Sequence, residues 1–326
     1  MLRRLAIVFF CCSSLSGADI NDAIQLVQQG TESVALTLPS DASYRLGITV
    51  TLKALKDGDI EGTYVRVVDH GKKRIDLKLG PYRELYMNDG KEAWHYRNSE
   101  RPFRVLEALQ PLSPRTLKNP LGDIEVKQIN EKVGDENLQC VVAKPKSGET
   151  RKWCFDPATK LLRWIFDRRP LRFEFTDYKP FGQRQYPRTI RSYEASQLVA
   201  ALTVMELEVS SPAPELFAPL RGMEQGESQL GCGPTDANDD SIIKKVQPQY
   251  PVSARRSGRE GTVMFHAHID KDGRVGKLTT LQSPPHMDLQ DAARTAVQQW
   301  QFKPFTACGQ PMAYETVITV SFELRP

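Results

Sequence analysis

Beyond its first eighteen residues the chain has no apolar run that could cross a membrane, which takes about 20 consecutive apolar residues. It lacks GxSxG, HExxH, a Walker-type phosphate loop and GxGxxG, and so the commonest hydrolase, zinc-protease and nucleotide-binding signatures. Asp and Glu are plentiful, but none forms a motif whose spacing demands acid–base roles. Charge of one sign is also scarce: 44 Lys and Arg against 40 Asp and Glu give a net +4. If Arg3 and Arg4 leave with a leader, the excess falls to about +2, too little to draw nucleic acid electrostatically. The basic clusters at 71–74, 168–169 and 254–259 lack the interleaved aromatics of a base-stacking platform. Long Pro-rich tracts and internal repeats are missing too. Metal ligands are thin. His266 and His268 share a strand face about 7 Å apart, but a site needs a third and fourth ligand, and His286 is their only neighbour in sequence. Neither an enzyme, a cofactor nor a metal centre is expected.

What is present begins with MLRRLAIVFFCCSSLSGA: two arginines, a short apolar run and small residues ending at Ala18. That is the layout of a secretory signal peptide, cleaved after Ala18; a retained inner-membrane anchor is the alternative. Of six cysteines, Cys140, Cys154, Cys232 and Cys308 lie beyond it, an even number suited to an oxidising compartment. Three pairings are open. Cys140 and Cys154 flank a segment that reads as two strands and a polar turn, favouring Cys140–Cys154 and leaving Cys232–Cys308.

A helical start over 19–30 gives way to short alternating strands about ten residues apart, with turn signals at Asp57-Gly58 and Asp89-Gly90. That spacing predicts one large antiparallel sheet. A helical interlude near 102–113 precedes more strands, and PAPELFAPL (212–220) closes the region. Residues 221–240 are polar, acidic and Gly-rich and read as a linker. The expected class is α+β, with domains at 19–220 and 241–326.

In the second domain Pro251 suits a helix start, Gly258 a helix stop, and GTVMFHAHID alternates strictly before the Asp272-Gly273 turn. Asp288 reads as a helix cap. Leu289, Ala292, Ala293, Ala296, Val297 and Trp300 fall on one helical face, and Pro304 as a stop. The sum is helix–strand–strand–helix–strand, a three-stranded antiparallel sheet packed on helices. Tyr250, Pro251, Gly258, Gly261, Asp272, Gly273, Trp300, Phe302 and Pro304, in this order and spacing over about 80 residues, resemble the C-terminal domain of the TonB energy-transducer family. The resemblance implies binding by strand addition, in which a sheet edge pairs with an extended segment of an outer-membrane transporter. Here that edge is Thr316, Val317, Ile318, Thr319, Val320, Ser321, Phe322, Glu323 and Leu324. It also implies a periplasmic setting. The chain departs from the family in having a folded β region where a transducer has a Pro-rich spacer, so engagement of an inner-membrane motor complex is left open.

The N-terminal region loosely resembles the LolA/LolB-like lipoprotein-carrier superfamily, through its helical start, GTYVRVVDHGKKRIDLKLG, the WCFDPATKLLRW hairpin and the closing LFAP. The resemblance implies an antiparallel β half-barrel with helices. Inward-facing Leu52, Tyr64, Val67, Leu77, Trp94, Trp164, Phe173 and Phe175 would then line a lipid- or acyl-sized cavity, or fill a solid core. Three functions follow: a periplasmic binder of outer-membrane transporters or other envelope proteins, a lipid or lipoprotein carrier, and a structural envelope protein.

Overall fold

The structure, a computed structural model, describes residues 17–38, 41–53, 58–99, 101, 105–112, 124–145, 150–166, 171–194, 197–232, 242–307 and 310–324. Helix α1 (Gly17–Val34) leads into β1 (Ser43–Leu52), β2 (Ile60–Asp69), β3 (Lys72–Leu79), β4 (Tyr82–Asn88) and β5 (Ala93–Arg97). After α2 (Val105–Leu109) come β6 (Ile124–Val133), β7 (Glu136–Pro145), β8 (Arg151–Phe155), β9 (Leu162–Phe166), β10 (Leu171–Phe181), β11 (Arg184–Glu194) and β12 (Gln197–Val209). Two short elements follow, β13 (Glu224–Gln225) and α3 (Gln229–Cys232). The rest comprises β14 (Ile242–Lys244), α4 (Val252–Arg256), β15 (Gly261–Ile269), β16 (Val275–Gln282), α5 (Met287–Val297), β17 (Gln301–Phe302), β18 (Thr306–Ala307), β19 (Gln310–Pro311) and β20 (Tyr314–Phe322). Two compact units emerge, residues 1–35 with 114–198 and residues 36–113 with 199–326. The first sixteen residues, which carry most of the expected leader, lie outside the described set.

In the second unit the strands run β13-β5-β4-β3-β2-β1-β12, all antiparallel. The pleat decides which residues are buried. On β1 the alternate positions Tyr44, Leu46, Ile48, Val50 and Leu52 are all buried, and each apolar side chain withdrawn from water stabilises by about 1.5–3 kcal/mol. Register carries the same face across Tyr64 and Arg66 of β2, Leu77 of β3, and Tyr82 and Glu84 of β4. Two buried charges therefore sit among apolar neighbours. Arg101 grips Glu84 through two bonds, Nη2 to Oε1 at 2.6 Å and Nε to Oε2 at 2.9 Å, and the Tyr82 hydroxyl donates to Oε2 at 2.5 Å. Arg66 donates to the Leu36 carbonyl.

The opposite face of the same strands carries Val67, Arg74, Met87 and Trp94 in register. Residues 214–217 lie over it, with Phe217 buried and the Leu216 carbonyl accepting from Arg74 Nη1 at 3.1 Å. The chain then pairs with β5 as β13, and α3 reaches the first face. There the Gly231 carbonyl accepts from Lys73 Nζ at 3.1 Å and Glu227 accepts from the Tyr86 hydroxyl at 2.8 Å. Residues 214–232 thus form a strap around the sheet's edge.

In the first unit the order is β11-β10-β9-β8-β7-β6, again antiparallel. Trp153, Ile165 and Phe173 share one face by register, with Phe155, Phe175 and Ile190 also buried. Helix α1 is close to Phe155: a Cβ on Gly30 would stand 2.3 Å from the Phe155 ring. Cys140 and Cys154, partners on β7 and β8, are joined by a disulfide packed with Leu138 and Trp164. In neither unit do the described strands close into a barrel.

Candidate functional site

The C-terminal module is a three-stranded antiparallel sheet, β16-β15-β20, with α4 and α5. Val263, Phe265, Ala267 and Ile269 of β15 are buried against Leu289, Ala293 and Val297 of α5 and Ile318, Val320 and Phe322 of β20. Their strict alternation is why the segment folds as a strand with one face in the core. His266 and His268 occupy the other face, opposite Val317 and Glu315. Among the described residues no group of three or more His, Cys, Asp or Glu could hold a metal ion.

The motif residues build this platform. Pro251 precedes α4, and the Tyr250 hydroxyl donates to the Arg259 carbonyl at 2.5 Å while its ring meets Phe322 edge-on at 5.4 Å. Gly258, with φ +61°, ends α4, and Arg259 N–H returns to the Ala254 carbonyl at 2.9 Å, closing the turn as a Schellman-type cap. Gly261 opens β15 beside Pro284. At the hairpin Gly273 N–H reaches the Asp270 carbonyl, and the Gly273 carbonyl accepts from Phe302 N–H at 2.8 Å. The Asp272 carbonyl accepts from Gln301 Nε2 at 2.8 Å. The DG turn and the QF pair, thirty residues apart, are therefore one structural unit.

Three details differ from the sequence expectation. Helix α5 ends at Val297, so Trp300 is not on it; i→i−3 bonds at Gln299 and Trp300 tighten the chain, and the indole donates to the Val246 carbonyl at 2.8 Å. Pro304 lies beyond β17 and does not stop the helix. The N-cap of α5 is His286, and Asp288 sits in the first turn. The Asp288 carboxylate instead accepts from Ser253 Oγ of α4 at 2.6 Å and pairs with Arg259 at 3.2 Å. The Ser253 hydrogen bond, ahead of the Arg259 charge, holds its pKa below the usual carboxylate range. A depressed folded-state pKa contributes stability above the unfolded value, near 4, and loses it as pH falls through the folded one. The stability gap between wild type and Asp288→Asn should accordingly be present at pH 7 and close as the pH drops below about 4. Thermal melts across that range measure it; a gap that persists at pH 2 would contradict the assignment.

Strand β20 is the last strand in the order, paired with β15 on one side. Of the nine residues in the expected edge, Thr316 to Phe322 lie in β20, and Glu323 and Leu324 follow it. Ile318, Val320 and Phe322 fix it to the core, while Thr319 and Ser321 are exposed. No helix among the described residues is long and apolar enough to cross a membrane.

The eight aromatic and aliphatic residues of the N-terminal region do not share one face. Leu52, Tyr64 and Leu77 lie on the first face of the second unit, whereas Val67, three residues from Tyr64, and Trp94 lie on the opposite one. In the first unit Phe173 is on the Trp153 face, two residues from Phe175, and Trp164 is opposite, against the disulfide. The Cys232–Cys308 pairing falls outside the described residues, because Cys308 is not among them.

Residues 246–324 match the family model described as Gram-negative bacterial TonB protein C-terminal. Protein TonB of Vibrio cholerae is 39% identical over 84 residues, 26% of this chain and 34% of that protein. Protein TonB of Xanthomonas campestris is 34% identical over 78 residues, 24% of this chain and 35% of that one. The chain thus spans about a third of the length of these curated relatives. Among solved structures, a LolA superfamily protein from Nitrosomonas europaea covers 60% of this chain and 97% of its own at 12% identity and TM-score 0.41. The Pseudomonas aeruginosa TonB C-terminal domain covers 28% of this chain and 93% of its own at 28% identity and TM-score 0.25. The final quarter of the chain is similar to the C-terminal domain of TonB proteins.

Proposed function

We propose that this is a non-enzymatic periplasmic protein that binds an outer-membrane transporter, or another envelope protein, by adding an extended partner segment to the free side of β20. In this reading residues 19–220 form a half-barrel domain and 241–326 the recognition domain; of the expected linker 221–240, residues 221–232 belong to the strap held on β3, β4 and β5. The observation that carries the proposal is the place of β20 at the end of the order β16-β15-β20, with its core side held by Ile318, Val320 and Phe322. Such a strand presents a row of backbone donors and acceptors, and an unprotected edge is a template for pairing. Main-chain hydrogen bonds would supply most of the affinity, and exposed Thr319 and Ser321 the side-chain preference.

Proline substitution tests it, because adjacent residues of a strand point their N–H groups to opposite sides. Thr319→Pro and Thr316→Pro differ in this parity. The variant that loses an outward N–H should keep the wild-type melt yet lose capture of outer-membrane proteins, while the other loses part of the β15 ladder and melts earlier. Undiminished capture by the variant that remains folded would sink the proposal.

A further inference from the structure

The second unit holds a pocket of about 250 Å³ on the strap-covered side of β3, β4 and β5. Its floor is apolar: Leu85 from β4, Tyr96 from β5, and Leu220 and Met223 from the strap. Tyr96 and Leu220, both in the lining, are 42% and 50% exposed, so the concavity offers apolar surface to solvent. Its charged lining is mainly cationic, with Lys78, Arg83 and Arg221 against one acid on the same face, Asp76.

The charges on this rim are not balanced. Lys78 and Arg83 are direct cross-strand partners of β3 and β4, an arrangement of like charges that destabilises a sheet. The Arg83 guanidinium donates to two backbone carbonyls, those of Gly80 at 2.7 Å and Tyr82 at 2.8 Å. Among the described residues no carboxylate pairs with Lys78, Arg83 or Arg221. Of the two acids in the lining, Asp76 already accepts from Arg74 Nε at 2.8 Å and Nη2 at 3.4 Å, and the Glu84 side chain is turned to the other face toward Arg101. An apolar floor of this size, just under the ~300 Å³ at which drug-sized sites begin, suits a short hydrocarbon chain. Three cations at the mouth suit an anionic head, which would relieve the repulsion between Lys78 and Arg83.

We propose that this pocket binds a single-chain anionic amphiphile, with its acyl chain on Leu85, Tyr96, Leu220 and Met223 and its carboxylate or phosphate head among Lys78, Arg83 and Arg221. Lys78, Arg83, Leu85 and Tyr96 lie on the face opposite Leu52 and Tyr64, and no lining residue belongs to β20. The head could belong to a free fatty acid or to a lysophospholipid, and the chemistry at the rim is the same for both.

Isothermal titration of the full-length protein with decanoate, lysophosphatidylglycerol and decanol, each below its micellar concentration, tests the proposal. One saturable site is expected for at least one of the two anions, and the tighter of the two identifies the head. Decanol should bind at least about tenfold more weakly, since a charge-assisted hydrogen bond is absent. Arg83→Gln with Arg221→Gln should weaken the anion about tenfold or more. The Arg83 change removes the like-charge contact with Lys78 together with the bonds to the Gly80 and Tyr82 carbonyls, so a cooperative urea transition of the variant is checked alongside to show that it is folded. Lys271→Gln, on the exposed turn of the C-terminal hairpin, should leave binding unchanged. Failure of both anions to bind, equal affinity for decanol, or an unweakened double variant would each overturn the proposal.

Discussion

Arg101→Met should destabilise the second unit by roughly 3–5 kcal/mol, among the largest effects of any single change outside the hydrophobic core. The two side chains of the Arg101–Glu84 pair are 4% and 3% exposed, so neither can turn to water when its partner is gone. Removing the guanidinium leaves a buried carboxylate beside Leu77 and Tyr82 that keeps the hydrogen bond from the Tyr82 hydroxyl. That hydroxyl remains a neutral donor, because burial, and then the Glu84 charge, push its pKa far above the usual phenol range. Glu84→Gln in the Arg101→Met background should recover much of the loss, because an amide costs less to bury than an ion. Urea unfolding of the three proteins measures this. A loss below about 1 kcal/mol for Arg101→Met would mean that water reaches Glu84, and the buried-pair account would be wrong.

Gly273→Ala should cost the C-terminal module about 3 kcal/mol or more, from two effects that act together. Residue 273 has φ +82°, which an L side chain adopts only with strain. A Cβ there would also stand 2.0 Å from the Phe302 carbonyl oxygen, a backbone atom tied to the same turn by its own N–H. Neither side can yield without breaking the link between the hairpin and the QF pair. Gly258→Ala is the control: its φ is +61°, but a Cβ would meet nothing within 4 Å, so only the conformational penalty of about 1–2 kcal/mol applies. Equal losses for the two variants would show that backbone strain alone, without the Phe302 contact, sets the cost.

The same contrast explains what was legible in the sequence. The β15 hairpin and α4 were readable because local rules fix them: strict alternation from Val263 to Ile269, a Gly ending a helix, a DG turn. The large antiparallel sheet was readable for the same reason, from short strands at regular spacing. Trp300 was misplaced because it keeps helical spacing from Leu289, while the chain leaves the helix at Val297 to let the indole reach Val246, a partner 54 residues away. Asp288 looks like a cap because caps are local; its carboxylate does accept from the adjacent Leu289 N–H at 3.0 Å, but its side-chain partners, Ser253 and Arg259, are distant in sequence. The resemblance places Val67 and Trp94 with Tyr64 and Leu77 as inward-facing apolar residues, and the register separates them. A sheet covered on both sides buries both faces, and alternation then no longer says which face is which. The strap over 214–232 carried no periodic signal, since it is held by single contacts at Phe217, Glu227 and Gly231.

The central claim is that β20 is a working edge, and amide hydrogen exchange along it tests that most directly. In the free protein, the β20 amides directed at β15 should be protected and the alternate set should exchange quickly. Bound to a captured outer-membrane partner, that alternate set should slow from Thr316 to Phe322, while β16 at the other edge of the sheet remains unchanged. Protection appearing at β16, or no change along β20 in a complex that has formed, would contradict strand addition.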